Sequence, residues 1–533
     1  MTRSTPVDTL QGMDHLILAF SRATPYLELA FHDGTTPLDH LRSRVEALLA
    51  DIHRPEEPAV TLVIPRDFDP PRVVPGQNVL ILEDDNGAAA FRRVHEEIPP
   101  DREHVIWLDG DAPFVSLPLA RFLRQLHRRS WCDYTFGDGF PGGYAVQILR
   151  RETLPVLATL ADSRDLPWTR TVVFDALSVD INAFDVETEA AAEDYSLLRA
   201  ELTVDSRANY LLCRRLAERG LVTTDVGGKS EATADPDPFT ERYPDDRDPL
   251  LRTLLEEPLL RRTVPRYVQL QVTDRLSQVP VYSPFESGGT EIAPELLESI
   301  VREVHTETPE AILAVGYRGE PGLYRAFPAA VEVFRRYPEH PVYLETSGVG
   351  WTRENLETLE RWRSPRAVIV ELDAVREETY RKLRGTGMEE ALAFVERMRR
   401  AHPGRVYVQA VRMNDNEWEL QEFYKHWQSV DGVQPLIQKY NSFAGRLPDR
   451  RVADLTPLKR VPCRHLERDL VVLVDGTVPR CFQDLQSQTV RGILPEDSLE
   501  AIWKKGEDDF DAHVREEYPA LCRSCDEYYT INA

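Results

Sequence analysis

Short apolar runs, many of them β-branched, alternate with amphipathic stretches along most of the chain. In the first part, HLILAF (15–20), AVTLVIP (59–65) and HVIWLDGDAPF (104–114) read as buried strands. PLDHLRSRVEALLA (37–50) and LPLARFLRQLHRR (117–129) carry apolar residues at helical spacing. LRAELTVDSRANYLLCRRLAERG (198–220) predicts a last strand and helix. The stretch that follows, 227–249, is rich in Pro, Asp, Gly and Thr and has no apolar period, so it reads as a linker. A second series then predicts strands at YVQLQVT (267–273), AILAVGY (311–317), VYLETSG (342–348), AVIVELD (367–373), VYVQAVRM (406–413) and GVQPLIQKY (432–440). Helical patterns separate them: PELLESIVREVH (294–305), TRENLETLERW (352–362) and MEEALAFVERMRRAH (388–402), the last with Leu392, Val395 and Met398 on one face. Strands alternating with helices imply βα units and largely parallel sheets, and six such units suggest a full or partial barrel.

Length turns this pattern into a multidomain α/β protein, because 533 residues exceed what one core organises. The expected division is a first α/β domain over 1–225, a linker over 226–262, a partial TIM-type barrel over 263–455 and a small C-terminal module over 456–533. Charge narrows the partners. With 64 basic against 89 acidic residues the net charge is −25, a field that repels phosphate backbones and anionic lipid surfaces. No apolar run reaches the roughly 20 residues that span a bilayer, and MTRSTPVDTLQGMDH has no apolar signal core. A cytoplasmic protein is therefore expected, without nucleic acid and without membrane insertion.

Cysteine changes the picture most. Of six in the chain, four fall in the last 71 residues: Cys463, Cys481, Cys522 and Cys525. Cys132 and Cys213 stand alone and read as small buried apolar residues. Cys463 and Cys481 flank a predicted hairpin that turns at Asp475-Gly476, which would bring the two thiols together. Cys522-Arg523-Ser524-Cys525 is a C-x-x-C, a turn that lets two thiolates grip one metal or one cluster edge. Four thiolates suit tetrahedral zinc and a [4Fe–4S] cube equally.

The region around these cysteines resembles the SPASM domain, the auxiliary iron–sulfur module of many radical AdoMet enzymes. The resemblance rests on Cys463, then Asp475-Gly476-Thr477-Val478-Pro479-Arg480-Cys481, Arg491-Gly492-Ile493-Leu494, Ser498-Leu499 with Trp503, and the final C-x-x-C. It implies a single [4Fe–4S] cluster on Cys463, Cys481, Cys522 and Cys525, with a structural or redox duty.

The middle segment resembles the radical AdoMet barrel, with a telling departure. Where that family places the three thiolates of its AdoMet-binding cluster, this chain has Leu276, Pro280 and Ser283. None of these side chains can replace a thiolate on iron, so reductive cleavage of AdoMet is not expected. Gly316-Tyr317-Arg318-Gly319-Glu320-Pro321 stands at the Gly-Gly-Glu motif, which makes Gly319 and Glu320 a candidate residual AdoMet-like site. Thr346-Ser347-Gly348, Glu371-Leu372-Asp373 and Leu383-Arg384-Gly385 match further elements of that barrel.

The first segment resembles cytidylyltransferases that activate acidic sugars and share the nucleotide-diphospho-sugar transferase fold. Gly34 to Leu41, Asp109-Gly110-Asp111-Ala112-Pro113 and Thr203-Val204-Asp205-Ser206 carry the likeness, which implies a divalent cation such as Mg²⁺ on Asp111 and Asp205. The phosphate-cradling loop departs from the pattern: Ser21 to Glu28 keeps one Arg and no Lys. Together the three resemblances identify the chain as a member of the spiro-SPASM proteins. They imply a non-radical binding, electron-transfer or scaffold role in glycan or peptide modification, with a small molecule or protein as partner and no assignable catalytic residue. The alternative is an enzyme: a metal-dependent nucleotidyltransferase working through Asp111 and Asp205, or a barrel that uses AdoMet in an atypical way.

Overall fold

The computed structural model describes residues 14–52, 60–221, 242–457 and 459–530. It divides into two compact units, 1–263 and 264–533.

The first unit is built on seven strands: β1 (Asp14–Ala19), β2 (Val60–Pro65), β3 (Asn78–Leu82), β4 (His104–Asp109), β5 (Tyr134–Asp138), β6 (Gln147–Arg150) and β7 (Val186–Ala190). They lie in the order β3-β2-β1-β4-β6-β5-β7. β6 alone runs antiparallel to its neighbours, and the other pairings are parallel. Helices cover both faces. One core gathers Leu16, Leu18, Leu62 and Ile106 with the helices Pro37–Ile52 and Leu117–Ser130, and the other gathers Ile17, Val63, Val105 and Trp107 with Gly87–Glu97 and Thr153–Ser163. Successive residues of β1 thus point into opposite layers, and both layers are apolar. A strand buried on two faces reads as a continuous apolar run. That is why β1, β2 and β4 stand out in the sequence. β3, β5, β6 and β7 are shorter or partly exposed and gave no such signal. The helix Arg207–Glu218 forms as expected, whereas the segment before it makes only an isolated bridge from Glu201 to Gly142.

Residues 226–241 of the expected linker lie outside the described residues. The remainder, 242–262, is not extended chain. Asp248 caps the helix Pro249–Glu256 by accepting from the N–H of Leu250 and Leu251. Tyr243, Leu250, Leu251, Leu254 and Leu260 then join the first unit's core. The helix spans only two turns, so its apolar face was too short to register as a period.

The second unit carries β8 (Tyr267–Leu270), β9 (Ile312–Val315), β10 (Val342–Thr346), β11 (Pro365–Glu371), β12 (Val406–Arg412) and β13 (Val433–Lys439), one for each predicted strand. A seventh, β14 (Asp469–Val472), comes from the cysteine-bearing segment and pairs in parallel with β8. The all-parallel order is β13-β12-β11-β10-β9-β8-β14, an open rather than closed barrel. Val268, Leu313, Leu344, Val368 and Val408 bury one face against the helices, with Val395 and Met398 among the helical partners. The opposite face carries Tyr267, Gln269, Tyr343, Glu345, Glu371 and Gln409, so the concave side is polar.

β14 also corrects the predicted hairpin. Gly476, at φ +84°, does turn the chain at Asp475-Gly476, and Leu473 accepts from the N–H of Gly476. The two arms then part: β14 joins the barrel sheet, and β15 (Thr477–Pro479) pairs antiparallel with β16 (Val490–Ile493). No helix among the described residues is long and apolar enough to cross a membrane.

The packing of residues 242–262 has a direct test. Leu251 is fully buried, so Leu251→Ala should lower the urea-unfolding free energy of the first unit by about 2–5 kcal/mol. A change below about 0.5 kcal/mol, ordinary for a surface or linker position, would contradict it.

Candidate functional site

The four C-terminal cysteines come together. Cys463 precedes the short helix Arg464–Arg468 that leads into β14, Cys481 follows β15, and Cys522 lies in the turn of helix Ala520–Arg523. All four line one small cavity, together with Arg460, His465 and His513, above an apolar floor of Leu466, Phe510 and Tyr528. Among the described residues, no three His, Cys, Asp or Glu side chains close on a single point.

Electrostatics at this cavity disfavour bare thiolates. Burial pushes all four thiols up, and the neighbouring cysteines push Cys463, Cys522 and Cys525 further in the same direction. Cys522 reaches about 12. Backbone N–H groups of Gln483 and Asp484 serve the Cys481 sulfur, and that of Glu527 donates to Cys525 Sγ at 3.4 Å. Arg460 donates to the Cys522 carbonyl at 2.6 Å, while Arg480 and Arg491 both pair with Asp509 at the same end of the module. Four buried sulfurs with amide donors and nearby guanidinium groups form a donor set that fits a cationic metal core, which would remove the penalty on the ionised sulfurs.

A second cavity of about 180 Å³ opens at the C-terminal ends of the barrel strands, where a parallel barrel carries its site. Leu276, Pro280 and Ser283 line it, as do Gly319 and Glu320, so the positions matched by resemblance do share one space. Gly319 has no alternative there, since a Cβ would lie 1.8 Å from the Thr273 carbonyl. Glu320 is buried and already engaged: it accepts from Thr346 Oγ1 at 2.5 Å, from Ser347 N and Oγ at 2.9 and 2.6 Å, and from Gly322 N at 3.3 Å. Burial raises its pKa against these donors. The Glu371–Asp373 and Leu383–Gly385 elements meet through Arg384, which donates to Asp373 at 2.6 Å and Glu371 at 2.8 Å. Glu345, which sequence reasoning passed over as an ordinary strand residue, faces the same cavity with its pKa raised to about 7 by burial and by Glu371.

The two cavities are joined. Tyr317 donates to the Phe482 carbonyl at 2.7 Å, and Arg318 donates to the carbonyls of Asp484 and Leu485, each at 3.2 Å. The turn that holds Glu320 is thus fastened to the segment that follows Cys481.

A family model described as the SPASM iron–sulfur cluster-binding domain matches residues 463–526, which takes in all four cysteines. A protein of Treponema pallidum is 35% identical over 379 residues, covering 68% of this chain and 98% of its own length. The chain belongs to the spiro-SPASM family. A second Treponema pallidum protein is 30% identical over 94 residues, 16% of this chain and 43% of that protein. Solved structures similar to this spiro-SPASM chain include BtrN in complex with AdoMet and 2-DOIA, at 16% identity and a TM-score of 0.34 over 50% of this chain and 92% of that one. They also include Streptococcus suis SuiB bound to the precursor peptide SuiA, at 11% identity and a TM-score of 0.39 over 64% and 88% of the respective chains.

In the first unit, Asp111 and Asp205 are also brought together, around a cation of the protein's own. Asp109 and Asp111 stand at and just beyond the C-terminal end of β4, beside β1, where the strand order reverses and doubly wound sheets bind ligands. Gly110 lets the chain turn against Phe20, whose ring would lie 2.2 Å from a Cβ at that position. Arg170 reaches into this crevice. It pairs with Asp111 through two bonds of 2.9 and 2.8 Å, with Asp109 at 3.0 Å and with Asp205 at 3.5 Å. Arg22, the single basic residue left in the cradle loop, pairs with Asp205 at 2.9 Å. Burial raises Asp109 to about 6 despite Arg170, whereas at Asp205 the two guanidinium groups overcome burial and hold the carboxyl below its usual range. Nothing in the sequence marked Arg170, because its distance along the chain from Asp111 conceals the contact.

Arg170→Met should cost about 3–5 kcal/mol at pH 7.5 in urea unfolding, since it leaves Asp109 and Asp111 without their countercharge and Asp205 with Arg22 alone. Without the guanidinium their folded-state pKa values rise above the unfolded ones, so the folded variant takes up protons. Its deficit should therefore shrink as pH falls towards about 5 and grow as pH rises through those values. A loss under 1 kcal/mol, or one that does not change with pH, would show that Arg170 does not balance the cluster.

Proposed function

We propose that the chain is an iron–sulfur protein in which Cys463, Cys481, Cys522 and Cys525 hold one [4Fe–4S] cluster with a redox or structural duty, and in which the barrel binds its ligand without radical chemistry. The observation that carries this reading is the grouping of four cysteines, two buried and two partly buried, around one cavity within the span of the SPASM match. The match of residues 463–526 to an iron–sulfur cluster-binding domain favours a cluster over zinc. When bound, such a cluster would supply a one-electron redox centre and a cross-link among the four segments. The residues around it would exclude water and, through the amide and guanidinium groups, offset its negative charge.

For the barrel, the support is the lining of the second cavity. Leu276, Pro280 and Ser283 offer no thiolate, so a second cluster has no ligands there. Glu345 and Glu320 instead present carboxyl groups to the cavity, for neither of which a cationic partner is found among the described residues. For the first unit we propose ligand binding without a divalent metal, because Arg170 already supplies the positive charge that Asp111 and Asp205 would otherwise take from a cation. The cytidylyltransferase resemblance keeps the doubly wound sheet and its switch-point crevice and departs at the cation.

Protein purified without oxygen should contain about four irons and four acid-labile sulfides per chain, and Cys525→Ser should lose at least half of that iron. Stoichiometric zinc without sulfide would overturn the cluster assignment. Dithionite-reduced protein incubated with AdoMet should leave it intact; catalytic reductive cleavage would overturn the non-radical reading of the barrel.

A further inference from the structure

His513 is a buried polar side chain in the wall of the cysteine cavity. It lies on the helix Glu507–Val514, is 2% exposed, and lines the same cavity as Cys463, Cys481, Cys522 and Cys525. Neither ring nitrogen has a hydrogen-bond partner among the described residues. The other histidine of the cavity differs: His465 Nδ1 meets Asp469 at 2.6 Å and its Nε2 meets Thr530 at 3.2 Å. The His513 ring is oriented by packing alone, edge to face with Tyr518 at 5.0 Å. In any protonation state at least one ring nitrogen of an imidazole carries a proton and needs an acceptor.

A buried donor without an acceptor is rare in native structures and marks a missing partner. The four cysteine sulfurs line this cavity, and the other acceptors of its wall, among them Gln483 and Glu527, do not meet His513. We infer that His513 donates a hydrogen bond to a sulfur of the bound cluster, either a thiolate or a bridging sulfide, and thereby sets the cluster's reduction potential. The inference rests on the cluster assignment made above. A donor to cluster sulfur favours the state with more negative charge, so it raises the potential. The same placement explains why a histidine faces four cysteines without completing a single-ion site: it stands outside the ligand ring as a positioning residue.

Protein labelled with ¹⁵N-histidine and reduced after anaerobic purification tests this by pulsed EPR. One weakly coupled histidine nitrogen is expected, and it should vanish in His513→Gln. In His513→Leu with the wild-type iron content, the midpoint potential should fall, and His513→Gln, which keeps a donor, should lie closer to wild type. A nitrogen coupling strong enough for iron ligation, no histidine coupling at all, or an unchanged potential in fully loaded His513→Leu would each overturn the inference. The labelled wild-type spectrum does not depend on how either variant folds. Iron and sulfide absent from the wild-type protein would defeat the cluster assignment instead, which is a separate failure.

Discussion

The pairing of β14 with β8 is the constraint on which the second unit depends. Four residues, Asp469 to Val472, run beside Tyr267 to Leu270 and extend the parallel sheet from the cysteine-bearing segment. Parallel sheets survive only where both faces are covered, and an unpaired edge is a template for other chains. By covering that edge, β14 ties the cysteine module to the barrel, so Cys463, a few residues upstream, is anchored by the barrel's own hydrogen-bond ladder. Asp469 at the head of the strand holds His465 and Arg468, which fixes the turn that presents Cys463. The module is therefore a continuation of the barrel sheet rather than an appended bead.

The two units treat buried charge in opposite ways. In the first, three aspartates at a sheet switch point are paired with Arg170 and Arg22, both supplied by the chain. In the second, four thiols whose ionisation burial disfavours are grouped around one cavity, with amide donors and guanidinium groups nearby.

Much of this organisation was legible because burial on both faces writes itself as uninterrupted apolar runs. β1, β2 and β4 were found that way, the six barrel strands by the apolar residues of their helix-facing side and their alternation with helical stretches, and the cysteine spacing marked the cluster region directly. The failures have physical causes. β14 was assigned to a hairpin because Asp475-Gly476 is a strong turn signal, and a turn signal cannot say which sheet each arm will join. The helix Pro249–Glu256 was hidden by its brevity and by the polar stretch before it. Arg170, Glu345 and His513 act through contacts that are remote in sequence or through burial that the sequence does not record. The resemblance to a metal-dependent transferase correctly gathered Asp111 and Asp205 but carried no information about the guanidinium between them.

Tyr317 and Arg318 give the barrel cavity an outside owner. The turn that presents Gly319 and Glu320 is held by three carbonyl acceptors in the stretch from Phe482 to Leu485, immediately after Cys481. Because main-chain carbonyls do the accepting, most side-chain changes in that stretch leave the clasp intact, whereas an inserted or deleted residue shifts all three acceptors at once. The length of the loop after Cys481 therefore becomes part of the definition of a cavity to which it contributes no wall.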